Sequence, residues 1–114
     1  MRIESYSFGS MTVDGNQYTN DLLVYPDKVS ESWRRKRGHS LVPEDLEEVF
    51  DFGPDILVVG RGAYGAMTIP DSTRKTIENR GIELRSSKTA EAAEIFNEEV
   101  ERGNDVVGAF HLTC

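Results

Sequence analysis

The sequence predicts an α/β domain fronted by an antiparallel hairpin region. Three observations carry this expectation. Apolar runs of strand length occur at Leu22–Tyr25, Ile56–Val59 and Val106–Phe110. The segments between the later runs space their apolar residues by three and four, as helices do. The first part of the chain instead carries turn chemistry, Asp14-Gly15 above all. A length of 114 residues gives one domain, residues 1–114, with a radius of gyration of roughly 13 Å.

Each element has its own reason. Ile3 to Phe8 alternate weakly, and Met11-Thr12-Val13 runs into the Asp14-Gly15 turn. Leu22-Leu23-Val24-Tyr25 is a short strand stopped by Pro26, and it joins the hairpin or meander to the main sheet. Pro43 opens an acidic helix with Leu46, Val49 and Phe50 on one face, and Gly53-Pro54 ends it. Ile56 to Val59 is continuous, the pattern of a strand buried on both faces. A second helix begins near Pro70 with Ile69, Thr73 and Ile77 on one stripe and stops at Gly81. Ile82-Glu83-Leu84 reads as a strand. Ser87 or Thr89 is expected to cap a third helix, on which Ala92, Phe96 and Val100 recur every four residues. Arg102-Gly103 ends that helix, and Val106 to Phe110 is the last buried strand.

Strands alternating with helices imply parallel strands joined by right-handed crossovers. On that basis the strands at Leu22–Tyr25 and Ile56–Val59, joined through one helix, are expected to run parallel. Their following loops then emerge on one sheet edge, where ligands bind in such folds. The Trp33–His39 segment is therefore expected over the same edge as the loop at Gly60.

Composition narrows the function classes. The formal net charge is −7, which disfavours general binding to nucleic acid or anionic membrane. The positive charge of the first third is concentrated in Arg34, Arg35, Lys36 and Arg37, which leaves room for a local anion site. Cys114 is the only cysteine, so neither an intrachain disulfide nor a multi-cysteine metal site can form. No run of 18 apolar residues exists, and the N-terminus shows neither a signal core nor an Arg-rich leader. Membrane insertion is not expected, and the expected location is cytoplasmic.

Two motifs stand out. Gly60-Arg61-Gly62-Ala63-Tyr64-Gly65 fits G-x-G-x-x-G after a buried strand, with Glu83 where a ribose-binding acid would lie. Met67-Thr68-Ile69 before Pro70 delays the helix, however, so its N-terminus cannot face a pyrophosphate. The loop is expected to be non-helical and free of a dinucleotide, and no cofactor is expected. A cradle of backbone amides for a small anion and a purely structural loop both remain open. The second motif is Trp33-Arg34-Arg35-Lys36-Arg37-Gly38-His39. Such a run most often forms a solvated face paired with nearby acids. The functional reading makes Trp33 a flat apolar wall and uses the guanidiniums, with Arg61, to hold a carboxylate or phosphate. Of the two histidines, His39 is the better acid–base candidate, and His111, ending a buried strand, is expected to be structural. No His pair has metal-ligand spacing, and no G-x-S-x-G elbow is present.

Read together, Gly38-His39-Ser40, Pro54-Asp55-Ile56-Leu57-Val58-Val59-Gly60-Arg61-Gly62, Gly81-Ile82, Lys88-Thr89-Ala90-Glu91-Ala92 and Phe96-Asn97 resemble one small family. It includes the adipogenesis-associated domain protein of animals and the mitochondrial assembly factor 3 of respiratory complex I. Arg61 stands where many members have Thr, and Phe96 where they have Tyr. The resemblance implies three layers around a mixed, largely parallel central sheet with flanking helices. It supplies no agreed catalytic residues and points to protein binding in assembly.

The leading expectation is a non-catalytic protein-interaction or assembly module. The alternative is a protein or enzyme that binds a small anion or nucleotide at the strand-end edge. Trp33, Arg34, His39, Gly60, Arg61, Gly62 and Tyr64 would form its ligand-binding site. The expected partners are thus a protein or a small anionic ligand.

Overall fold

In the computed structural model, which describes residues 1–114, two sheets and three helices surround two apolar clusters. Strands β1 (Ile3–Ser7), β2 (Ser10–Val13) and β3 (Asn16–Tyr18) form an antiparallel sheet in that order. Its second turn is Asp14-Gly15, with φ of 48° and 82°, the paired positive values that a two-residue hairpin turn requires. The second sheet contains β4 (Leu22–Val24), β5 (Val29–Ser30), β6 (Ile56–Arg61), β7 (Glu83–Ser87) and β8 (Val106–His111). Their order is β5-β4-β8-β6-β7. β8, β6 and β7 are mutually parallel, whereas β4 and β5 are antiparallel additions, so the sheet is mixed.

Alternation along the central strands builds three layers. Ile56 and Val58 of β6 face one cluster, and Leu57 and Val59 face the other. The first cluster takes Ile3, Met11 and Val13 from the small sheet and Ala92, Ala93 and Phe96 from helix α3 (Thr89–Glu101). The second takes Leu46 from a 3-10 turn (Pro43–Leu46), Val49 from α1 (Glu47–Phe52) and Ile77 from α2 (Asp71–Asn79). Leu57, Phe96 and Ile77 are fully buried, which stabilises the fold by about 1.5–3 kcal/mol for each side chain.

Two sequence expectations need correction. β4 does not run parallel to β6: it pairs antiparallel with β8, which is itself parallel to β6. The reason is a reversal at Pro26-Asp27, where the Tyr25 amide donates to the Lys28 carbonyl and β5 folds back on β4. The cap of α3 is also different. Lys88 occupies the N-cap position without a side-chain hydrogen bond, and Thr89 is the first helical residue. The Thr89 hydroxyl instead donates to the His111 carbonyl at 2.6 Å and accepts the Gly62 amide at 2.9 Å. It joins α3, β6 and β8 where those elements meet.

Candidate functional site

The strand directions decide what meets at the edge beyond His111. β6 and β8 both end there. Because β4 is antiparallel to β8, Leu22 opposes Phe110, and the preceding Asp21 arrives beside His111. The β4–β5 hairpin returns the chain to this same edge, from which residues 31–42 depart. The Trp33–His39 segment and the Gly60 loop therefore do share one edge, through the hairpin and not through a parallel crossover. The His39 carbonyl accepts the Thr68 amide at 2.9 Å, which binds the two segments together.

At the centre lies a cluster that the sequence did not single out. Asp21 Oδ2 is 2.7 Å from Arg35 Nη1 and 2.8 Å from His111 Nδ1, and Asp21 Oδ1 accepts the Leu112 amide at 2.8 Å. Nδ1 beside a carboxylate oxygen must carry the proton, so the 3.1 Å approach of Arg35 Nη2 to Nδ1 is a contact between two donors. Arg35 Nη2 has its own acceptor in the Gly38 carbonyl at 3.1 Å. Burial alone would raise the Asp21 carboxyl, but the Leu112 amide, Arg35 and His111 outweigh it and hold it below the usual carboxylate range. The side chains of Arg35 and His111 are only 6% and 7% exposed. Arg35 Nε and His111 Nε2 are buried and have no hydrogen-bond partner. His111, expected to be structural, is thus central to the edge. With nothing bonded to Nε2, no hydroxyl or thiol is held there as a nucleophile.

The residues predicted from the sequence take different positions around this cluster. Trp33 is buried: its Nε1 donates to the Asp45 carbonyl at 2.9 Å, and the Arg35 guanidinium stands 5.0 Å from its ring. It belongs to the core, and its edge lines a recess shared with Arg34 and Asp21. Arg34 is exposed at the rim of a recess of about 300 Å³ that also reaches Asp21, Ser32 and Thr113. His39 is exposed on its loop, with its ring centroid 6.2 Å from that of His111. No third metal-binding side chain joins the two histidines.

The glycine loop is non-helical, and α2 begins only at Asp71. Its amides are engaged within the chain. Besides Gly62, Ala63 donates to the Thr113 carbonyl at 2.7 Å, Gly65 to Gly62 at 3.2 Å and Ala66 to Cys114 at 3.1 Å. Of the two readings left open for this loop, a small-anion cradle finds its amides already bonded to Thr89, Gly62, Thr113 and Cys114. Gly60 and Gly62 have packing reasons instead. A Cβ on Gly60 would lie 2.9 Å from both Phe110 and Thr89. One on Gly62, at φ +102°, would lie 2.3 Å from the Cys114 carbonyl carbon. Arg61 is half-buried and donates to the Gly65 carbonyl at 3.2 Å.

Charge at the edge is only partly compensated. Lys36 pairs with Glu44 at 3.4 Å, and Arg35 with Asp21. Arg34, Arg37 and Arg61 have no carboxylate within ion-pair distance, and Glu83, expected near a strand end, instead starts β7 opposite Ile56, at the far end of the sheet from Arg61, where it lies 3.9 Å from Arg85. Beside them Tyr64 is 73% exposed and Phe8 57%, with ring centroids 6.2 Å apart.

The architecture has close relatives among solved structures. A conserved hypothetical protein of Pyrococcus horikoshii is 28% identical, with all of both chains covered and a TM-score of 0.82. A protein named MT938 is 29% identical over 99% of this chain and 98% of its own, with a TM-score of 0.83. A Bordetella pertussis protein described as an Mth938-like domain shares the fold at 17% identity, with a TM-score of 0.78 over 97% of this chain and 85% of its own. No helix is long and apolar enough to cross a membrane. With its residues 3–111 matching the family profile, the chain belongs to the DUF498/DUF598 family of proteins of unknown function.

Proposed function

We propose that the chain is a non-catalytic protein-interaction module that docks an acidic segment of a partner protein on the strand-end edge. The observation that carries this reading is Tyr64. It is 73% exposed, paired with exposed Phe8, and mounted on a loop whose backbone is tied down at four amides. Exposed aromatics and Arg are the residue types that dominate binding energy at interfaces. Arg34, Arg37 and Arg61, none of them ion-paired, give the edge a charge opposite to that of the whole molecule and so favour an acidic partner. The resemblance to the adipogenesis-associated domain protein and to complex I assembly factor 3 adds support for a role in assembly.

The test is crosslinking from Lys88, next to the loop, in extract of the source cells, with wild type compared against Tyr64→Ala and Arg61→Thr. A defined partner should crosslink to the wild type and at least tenfold less to Tyr64→Ala. Arg61→Thr should weaken docking while unfolding stability changes by no more than about 0.5 kcal/mol, because Arg61 holds only a carbonyl of its own loop. A partner retained equally by all three proteins, or none at all, removes the reading. The alternative of a small-anion site is favoured by a different observation, the unpartnered nitrogens of Arg35 and His111.

A further inference from the structure

We propose that the groove between β1 and α3 takes up an extended, basic segment of a partner protein as an added strand. The argument begins with hydrogen bonding. β1 is an outer strand and pairs only with β2. An outer strand turns alternate amides and carbonyls away from its neighbour. Among the residues of β1, Ile3 alone has backbone bonds beyond β2, and both go to the Asn97 carboxamide, at 2.9 Å from the amide and 2.8 Å from the carbonyl. A carboxamide offers the donor and acceptor that a peptide group offers. Asn97 therefore bonds to Ile3 as one residue of a neighbouring strand would. From Glu4 to Ser7 no group of the chain continues that row.

The surface beside this row is recessed. Ala90 and Ala93, three positions apart and so on one face of α3, are small and leave a groove of about 330 Å³ against Ser5 and Tyr6. An extended chain suits such a place, because its main chain can bond to the strand edge while alternate side chains point into and out of the groove. Glu4 to Ser7 would pair with about four residues, at about 3.4 Å each. β7, the other outer strand of five residues, borders no recess.

Charge selects the occupant. Glu4 and Glu94 both line the groove, and neither is ion-paired. Glu98, one turn further along α3, is exposed and also outside any ion pair. Arg2, the one cation on the groove, is engaged by Glu101 at 3.1 Å. Lys or Arg on the added strand would supply the missing counter-charges, and the net charge of −7 attracts such a segment from a distance. A second copy of this chain would bring Glu4 and Glu94 against further carboxylates, which disfavours pairing of β1 with itself. None of Arg34, Arg37, Arg61 and Tyr64 lines this groove, and it selects the opposite charge from the strand-end edge, so either face can fail without the other.

The probe is a blocked hexapeptide of alternating Val and Lys, titrated into the 15N-labelled full chain. Amide shifts should saturate and centre on Glu4–Ser7, and hydrogen exchange should slow there. Two further peptides carry N-methyl groups on every second residue, one on the Val amides and one on the Lys amides. An added strand bonds through one edge only, so one of the two should lose about tenfold or more in affinity while the other binds as the parent does. The counterpart with Glu in place of Lys should bind about tenfold or more weaker, and Glu94→Lys should weaken the parent peptide by about as much. Ala90→Phe should fill the groove and abolish binding. Ala90 and Glu94 are exposed helix positions, so both variants should keep the wild-type urea midpoint, and Glu94→Lys carries the test should Ala90→Phe fail to fold. The proposal is overturned if no saturable binding occurs, if the shifts centre on β7 or the strand-end edge, if the two methylated peptides behave alike, if the Glu peptide binds equally well, or if sedimentation shows β1 joining a second copy of the chain.

Discussion

Asp21 receives hydrogen bonds from Arg35, His111 and the Leu112 amide, and its own carbonyl accepts the Trp33 amide at 2.8 Å. Asp21→Asn keeps an oxygen for Leu112 but removes the charge, leaving the Arg35 guanidinium buried without a counterion. Breaking a buried pair on one side costs about 3–5 kcal/mol, and the partial exposure of Asp21 places the expected loss near the lower figure, about 3 kcal/mol, by urea unfolding at neutral pH. The pH dependence has a definite sign. The folded carboxyl lies below its unfolded value of about 3.9. Its contribution is therefore complete above that value and is lost as pH falls through the lower folded one. The stability gap between wild type and Asp21→Asn should narrow as pH falls below about 4. A gap that stays constant to the acid unfolding limit would show that Asp21 acts through packing alone.

At the scale of elements, β1 is the outer strand of the small sheet, and at Ile3 its free side is met by one residue of α3. Asn97 of α3 accepts the Ile3 amide at 2.9 Å and donates to the Ile3 carbonyl at 2.8 Å, taking the place of a neighbouring strand. Asn97→Ala removes both bonds and leaves two part-buried backbone groups unpaired, at an expected cost of about 1–3 kcal/mol. Hydrogen exchange at the Ile3 amide should accelerate by more than the global loss of stability explains, while Val58 tracks that global loss. Asn97 lay in the sequence as half of a recognisable Phe96-Asn97 pair, without a visible role. What the sequence does disclose is local: the Asp14-Gly15 turn, the late start of α2 at Pro70, and the apolar runs of β4, β6 and β8. β5 escaped because two residues, Val29 and Ser30, are too few to show alternation. Missing it reversed the expected direction of β4. The central cluster escaped for a related reason. Asp21 and His111 are 90 positions apart, and Arg35 is one of four adjacent cations that look equivalent until the fold buries only its side chain. The register of β4 on β8 decides that choice, and no local pattern encodes it.

At the scale of the whole molecule, two electrostatic effects oppose each other. The chain carries −7, which repels an acidic partner, while the strand-end edge presents Arg34, Arg37 and Arg61 outside any ion pair, which attracts it. Screening length decides which effect a partner feels. At 0.01 M salt the Debye length is about 30 Å, comparable to the 34 × 30 × 20 Å extents of the molecule, so an approaching acidic segment senses the full negative charge. At 0.1 M it is about 10 Å, and only the local cations matter. Still higher salt screens those as well. The association rate of a labelled oligoglutamate peptide, measured by stopped flow, should therefore pass through a maximum at intermediate ionic strength. The combined variant Arg34→Gln, Arg37→Gln, Arg61→Thr lowers the net charge from −7 to −10 and removes the attraction. Its rate should rise monotonically with salt and stay below that of wild type. A wild-type rate that rises monotonically in the same way would mean that the net charge dominates at every range, and acidic partners would be excluded from this edge.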